Sequence, residues 1–396
     1  MLTAEQVAAA RAGLARGATL PYAWYADEAV LTAERAGIFA RSWHYVGLVD
    51  QVERPGSVLR ADLAGLPVVL VRGRDGVLRG FHNVCRHRGA VLVREDCGVR
   101  NTLQCHYHAW TYDLDGSLRA APRADRESEF DKTARGLVQV AVDTWGPFGF
   151  VYPWPDAPAL ADWLGELPAL VADAGIDVHG LRLHHRVRYS LSCNWKIAVE
   201  NFLECYHCAV AHPAFADVMD TGPDAYNLQV RPSFAWQRGP TRPQQRGGYP
   251  TAGEIDAGQY FMIWPSIKIN INPGRPNMSI GPVYPSGPHR TEAFLDYLFG
   301  PDVPTDWIDA MIAFDDQVGT EDRELIESVH RGVSGGGLAC GRFMVDSELQ
   351  LQAFGAWVAE RLADHISAGP TPPRPPSLAN ERRDEDGHVQ LSPGGD

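Results

Sequence analysis

Long hydrophobic runs are missing from this chain. No stretch approaches the roughly 20 apolar residues of a membrane helix, and "LPVVLV" at 66–71 is only about strand length. No membrane association is therefore expected. A positive charge excess is missing too. The 396 residues carry 36 Lys and Arg against 49 Asp and Glu, a net charge of −13, which argues against a nucleic-acid partner. The first residues, "MLTAEQVAAARAGLARG", lack the apolar core of a signal peptide, and Thr3 with Gln6 forms a helix capping box. A cytoplasmic location is the expectation. Cysteine is scarce: seven residues, an odd number, argue against a disulfide framework and for thiols or metal ligands. No internal repeat is visible. What remains, 45% hydrophobic and 21% charged, describes a globular chain long enough for two domains.

Positions 1–44 look helical and end at the aromatic cluster "RSWHYVG". Between 45 and 155 the pattern changes to short alternating strands, "SVLRADLAG", "LPVVLVRGRDGVLRGFHNV" and "TYDLDGSLRAAP", with hairpin turns at Asp75-Gly76 and Asp115-Gly116. That is a small antiparallel β domain. Beyond "PWPDAPAL" lies a mixed region, 156–367, in which "RLHHRVRYSLSCNW", "QYFMIWPSIKININP" and "NMSIGPVYPSG" read as strands. Helices are expected around 195–211 and 305–331. The proline-rich, charged tail at 368–396 reads as disordered.

Two mixed pairs stand in the β region. Cys85 and His87 lie in "CRHRGA"; Cys105 and His108 lie in "CHYH", with seventeen residues between His87 and Cys105. A zinc finger pairs Cys with Cys on one knuckle and His with His on the other. One Cys and one His per loop instead offers two thiolates at one end and two imidazoles at the other. That suits a two-iron cluster with Cys₂ on one iron and His₂ on its neighbour, the Rieske centre. With "CHYHAWTYDLDGSL" after it, the segment resembles the Rieske domain of ring-hydroxylating oxygenase large subunits. His106 and Ala109 stand where that family often has Pro and Gly.

The stretch "NWKIAVENFLECYHCAVAHP" resembles the mononuclear-iron motif of the same family. The match implies acidic positions at Glu200 and Glu204 and iron ligands at His207 and His212. Five residues at about 100° each leave those histidines about 140° apart on a regular helix. They share one metal only if the helix bends, bulges or ends between them, and Pro213 marks an ending. A facial triad needs a carboxylate as well. On the 305–331 helix, Val318, Leu325, Ile326 and Val329 form an apolar stripe around Asp322, so Asp322 is expected on the buried face. Glu324, Glu327 and Arg331 fall on the outer face and Glu321 on the border. The resemblance of "TEDRELIESVHRG" to the family's third-ligand segment implies the same residue.

The resemblance implies an α+β chain: an antiparallel Rieske [2Fe-2S] domain joined to a helix-grip catalytic domain with a curved antiparallel sheet, the N-terminal segment packing on the latter. It implies a Rieske cluster, a mononuclear Fe(II), O2 as cosubstrate and a homotrimer in which Glu204 carries electrons from His108 of one subunit to His207 of the next. No G-x-G-x-x-G follows a strand and no plant-type four-Cys motif is present, so NAD(P)H electrons are expected through a separate flavin/[2Fe-2S] reductase or a ferredoxin. An aromatic substrate, hydroxylated once or twice, is the first expectation. The alternative is a quaternary or methylated amine: Glu rather than Asp at position 204 is similar to the choline, betaine and carnitine subgroup. Tyr226, Phe234, Trp236, Tyr260 and Trp264 supply candidate rings for a cation. A different class is an electron carrier with a degenerate second domain.

Overall fold

The computed structural model describes residues 2–369 apart from 246 and 345. Most of the expected tail thus lies outside the described residues. The chain forms two compact units. One comprises Met1–Asp50, Asp62–Leu66 and Ala141–Ser367; the other comprises Gln51–Ala61 and Pro67–Val140. The strands His44–Leu48 and Phe148–Tyr152 belong to the first unit, although the sequence reading drew its β domain from 45 to 155. Among the described residues no helix is long and apolar enough to cross a membrane.

The first unit is organised by a seven-stranded antiparallel sheet in the order Arg182–Leu191, Arg290–Phe299, Asn277–Gly287, Ile267–Ile271, Ala257–Ile263, Phe234–Pro240 and Asn227–Val230. Period-2 alternation gives each strand two faces. Phe294 and Leu298, with Ile267, Ile269 and Ile271, pack into a core that includes Tyr45, Phe148, Phe150 and Leu167. Leu295, Tyr297 and Phe299 point the other way, against Trp307, Met311 and Phe314 of the helix Thr305–Ser334. A second long helix is Leu349–Ser367. Asp296, fully buried, is held by Arg186 at 2.6 Å through both Oδ atoms and by the Tyr45 hydroxyl at 2.6 Å, so its charge is paired.

The second unit is all antiparallel. Leu66–Arg72 pairs with Leu78–His82, and a three-stranded sheet joins Leu103–Gln104, Thr111–Tyr112 and Leu118–Ala120. Its core is Val58, Val69, Val71, Phe81, Tyr112 and Leu118. Both Asp-Gly turns are present, with Gly76 at φ +78° and Gly116 at φ +89°. Gly116 has a second constraint: a Cβ there would lie 2.4 Å from Phe81 Cε1.

The region expected as one helix around 195–211 is two, Trp195–Phe202 and Cys208–Ala211. Between them Glu204 accepts from the backbone N–H of Tyr206 at 2.5 Å and of His207 at 3.2 Å. A short-range carboxylate that takes backbone donors competes with the helical ladder.

Candidate iron centres and substrate cavity

In the second unit the two Cys-His loops are built alike. Cys85 N donates to Ala90 O at 2.8 Å and Gly89 N to Cys85 O at 3.0 Å; Cys105 N donates to Trp110 O at 2.8 Å and Ala109 N to Cys105 O at 3.0 Å. Each loop therefore needs a left-handed residue four positions after its cysteine. Gly89 supplies φ +75° and Ala109 φ +55°. Cys85 and Cys105 are buried, while His87 and His108 are exposed with ring centroids 4.6 Å apart. Trp110 stacks on His87 at 5.0 Å, and the Tyr112 hydroxyl lies 3.3 Å from Cys85 Sγ. Two buried sulfurs behind two surface imidazoles is the donor set a [2Fe-2S] centre of mixed ligation requires. His106 is exposed.

In the first unit the helix break sets the second site. His207 caps the start of Cys208–Ala211 and His212 its end, where φ −122° and ψ 71° leave the helix before Pro213. The two rings then meet edge to face, centroids 5.1 Å apart. Asp322 Oδ1 lies 3.0 Å from His212 Nε2 and 3.5 Å from His207 Nε2, and one ligand atom from each of the three residues falls within 4.8 Å of the others. Carboxylates hold the far nitrogens: Glu204 contacts His207 Nδ1, and Glu321 lies 2.7 Å from His212 Nδ1. Both Nε2 atoms thus turn toward one point, the orientation metal-bound histidines take from such acceptors. Asn201 donates to Asp322 Oδ1 at 3.0 Å. Two imidazoles and one carboxylate with an open side fit a non-haem iron.

The charges of this group are tightly coupled. Burial opposes the charged form of His207, but the bonds to Asp322 and Glu204 outweigh it and lift the imidazole to about 9. Burial likewise opposes the Asp322 carboxylate, and the two imidazoles hold it well below the usual range.

The helix phase differs from the expected one in two places. Val329, expected on the buried stripe, is 50% exposed. Glu327, expected in solvent, accepts from Ser192 N at 3.0 Å. Glu321, placed at the border, orients His212; nothing in its local pattern distinguishes it from any other helical glutamate. A further difference concerns the cysteines. Cys205 and Cys208 form a disulfide across this turn, their Cα atoms 4.9 Å apart; Cys85, Cys97, Cys105, Cys193 and Cys340 are free.

A cavity of about 430 Å³ opens on the triad. Tyr189, Phe202, Phe215, Tyr226, Tyr260, Tyr297 and Phe314 contribute rings, and Gln237, Lys268, Asn270, Asp315 and Asp316 contribute polar groups. Tyr297 donates to Asp315 at 2.5 Å, and burial pushes the Asp315 carboxyl up. Of the five rings singled out from sequence, Tyr226 and Tyr260 line this cavity. Phe234 and Trp236 pack in the core on the opposite sheet face, and Trp264 lies against Phe354 and Trp357.

The helix carries its own test. Asp322→Ala is expected to lower mononuclear iron occupancy by about 10-fold or more and stop oxygenation, with the Rieske absorbance intact. Exposed Glu324 touches none of these groups, and Glu324→Ala is expected to change neither. Metal analysis of both variants checks this; equal losses would refute the ligand assignment.

Known proteins share the sequence families and the fold. Residues 42–141 match the model of the Rieske [2Fe-2S] domain, and 178–364 that of the ring hydroxylating alpha subunit, catalytic domain. The carnitine monooxygenase oxygenase subunit of Escherichia coli (strain K12) is 33% identical over 331 residues, covering 83% of this chain and 88% of that protein. Chloroplastic choline monooxygenase of Beta vulgaris is 30% identical over 351 residues, covering 87% of this chain and 77% of that protein. A solved structure of a quaternary ammonium Rieske monooxygenase, described as revealing carnitine oxidation by gut microbiota and inter-subunit electron transfer, superposes with a TM-score of 0.77 at 30% identity. It covers 87% of this chain and 95% of that one. The chain belongs to the Rieske oxygenases, as an alpha subunit with a Rieske [2Fe-2S] domain, a curled-sheet catalytic domain and a mononuclear iron site that uses O2.

Proposed function

We propose that this oxygenase acts on a quaternary or N-methylated amine, taking electrons from a separate reductase. The aromatic substrate expected first from sequence gives way to the amine alternative. The observation that carries this reading is the cavity wall. A neutral hydrocarbon ring is best held by an apolar wall, whereas here the rings stand among Asp315, Asp316, Gln237, Lys268 and Asn270. Aromatic faces beside carboxylates attract a methylated ammonium, which offers no N–H for a hydrogen bond. The relatives named for carnitine and choline support the same class. Tyr226 is seated by Gly239, where a Cβ would lie 2.5 Å from the tyrosine's Cε2.

When bound, the cluster supplies electrons singly and the iron the place where dioxygen is reduced. The chain's part is to orient His207 and His212 through Glu204 and Glu321, and to hold a C–H bond of the amine beside the triad. Hydroxylation then balances as one oxygen atom inserted into that bond and the other released as water, with two electrons and two protons taken up. We further propose that the subunits form a trimer in which Glu204 joins His207 to His108 of the partner subunit.

Oxygen uptake with a surrogate reductase tests the class. Trimethylammonium compounds are expected to stimulate uptake and neutral aromatics to leave it at the background rate. Tyr226→Leu is expected to weaken amine binding by about 0.5–2 kcal/mol. Stimulation by neutral aromatics alone, with amines inert, refutes the reading.

A further inference from the structure

We propose that Cys205 and Cys208 form a reversible dithiol–disulfide pair, oxidised by hydrogen peroxide that arrives through the cavity, and that its oxidation state sets how tightly the mononuclear iron is held.

The pair stands inside the ligand segment. Glu204 and Cys205 precede Tyr206, and His207 and Cys208 follow it, so the bridge closes over the turn on which Glu204 contacts His207 Nδ1. It reaches the second histidine as well. Cys208 N donates to Cys205 O at 3.3 Å, and His212 N donates to Cys208 O at 2.9 Å. A shift of Cys208 is therefore passed to the backbone of both ligands. Cys205 and Cys208 are 8% and 5% exposed and pack with Phe215, Tyr260 and Tyr297. Two separate thiols need more room there than one bonded pair, and the turn is where that room is found.

A purely structural role explains the bridge poorly. A disulfide stabilises chiefly by closing a long loop of the unfolded chain, and a separation of three residues closes almost none. The other five cysteines are free. Two cysteines with two residues between them, one of them facing a cavity, are instead the arrangement of an exchangeable pair.

Access is unequal. Cys208 lines the cavity that opens on the triad, and Cys205 does not. Hydrogen peroxide forms when dioxygen takes two electrons and two protons without hydroxylating a substrate, and in this cavity it meets Cys208 first. The O–O bond breaks, one oxygen passes to the Cys208 sulfur as a sulfenic acid, and the other leaves as water. The Cys205 sulfur then attacks, the S–S bond forms and the sulfenic oxygen leaves as a second water. Two thiols are oxidised and one peroxide is reduced to two waters. A dithiol reductant reverses the change by thiol–disulfide exchange.

The test compares the holoenzyme before and after tris(2-carboxyethyl)phosphine, without substrate or reductase and with the Rieske absorbance recorded. Alkylation with peptide mass mapping follows the two cysteines, and competition with an iron(II) chelator gives the affinity of the mononuclear site. Reduction is expected to open the bridge and lower that affinity about 10-fold. One equivalent of hydrogen peroxide, added once the phosphine and the mononuclear iron have been removed, is expected to reform the bridge before it oxidises the exposed Cys97 or Cys340. Iron then returned is expected to bind with the original affinity. Cys205→Ser with Cys208→Ser is expected to keep the wild-type circular dichroism, to show the lower affinity from the start and to respond to neither reagent. A bridge that the phosphine does not open in the folded protein overturns the proposal. So does an affinity unchanged by opening it, or a pair that peroxide leaves reduced. If the double variant does not fold, the wild-type comparison decides alone.

Discussion

Glu204→Gln is expected to load iron nearly normally, retain the Rieske absorbance and assemble like the wild type, yet lose about 10- to 100-fold in the rate of cluster reoxidation during single turnover. The residue follows the break in the 195–211 region. Its Oε2 takes the backbone N–H groups of Tyr206 and His207, and its Oε1 contacts His207 Nδ1. The side chain is nearly buried, at 10% exposure. A glutamine keeps the shape and the turn but carries no charge, and a neutral amide accepts an imidazole N–H less strongly than a carboxylate does. Under the proposed trimer this is also the shortest polar link between His207 and His108 of the partner subunit. Stopped-flow reoxidation with a pre-reduced cluster and saturating substrate, alongside iron analysis, separates the outcomes. Wild-type reoxidation reduces Glu204 to a brace for the turn. Loss of iron makes it a ligand and reopens the assignment of Asp322.

Lys196→Met is expected to lower stability by about 3–5 kcal/mol, because it strands the Glu34 carboxylate in a site with no access to water. Both side chains of this pair are 0% exposed. Glu34 also accepts from Trp195 Nε1 at 2.8 Å, and Tyr25 donates to Glu200 at 2.6 Å, which burial raises to about 7. The N-terminal segment thus grips the helix Trp195–Phe202 through buried polar groups. Asn201 on that helix reaches Asp322, so iron occupancy is expected to fall with stability. Denaturant midpoints of the single variant and of Glu34→Leu with Lys196→Met check the cause: the double variant, which buries no orphan charge, is expected to recover most of the loss. A single variant as stable as the wild type would show that the pair is replaceable by packing alone.

Features that depend on a few neighbouring residues were legible in the sequence. The C-x-H and C-x-x-H loops encode their own chelate geometry, and the two Asp-Gly turns their own backbone. The requirement that one regular helix not carry both His207 and His212 follows from 100° per residue, and the structure meets it by setting them at the two ends of the short helix Cys208–Ala211, with His212 leaving the helix before Pro213. Asp322 could be placed on the inner side of its helix because Ile326 and Val318 share that side, even though Val329 does not. Tertiary structure alone decided the rest. The bonds His212–Glu321 and Asn201–Asp322 join residues more than a hundred positions apart, and no local pattern records such pairs. The substrate cavity was the least legible. Alternation shows that a strand has two faces, but which face meets a second core and which meets the iron is set by what the chain lays over each. That is why Phe234 and Trp236 went to the core, while Phe215, Tyr297 and Lys268 came to the cavity.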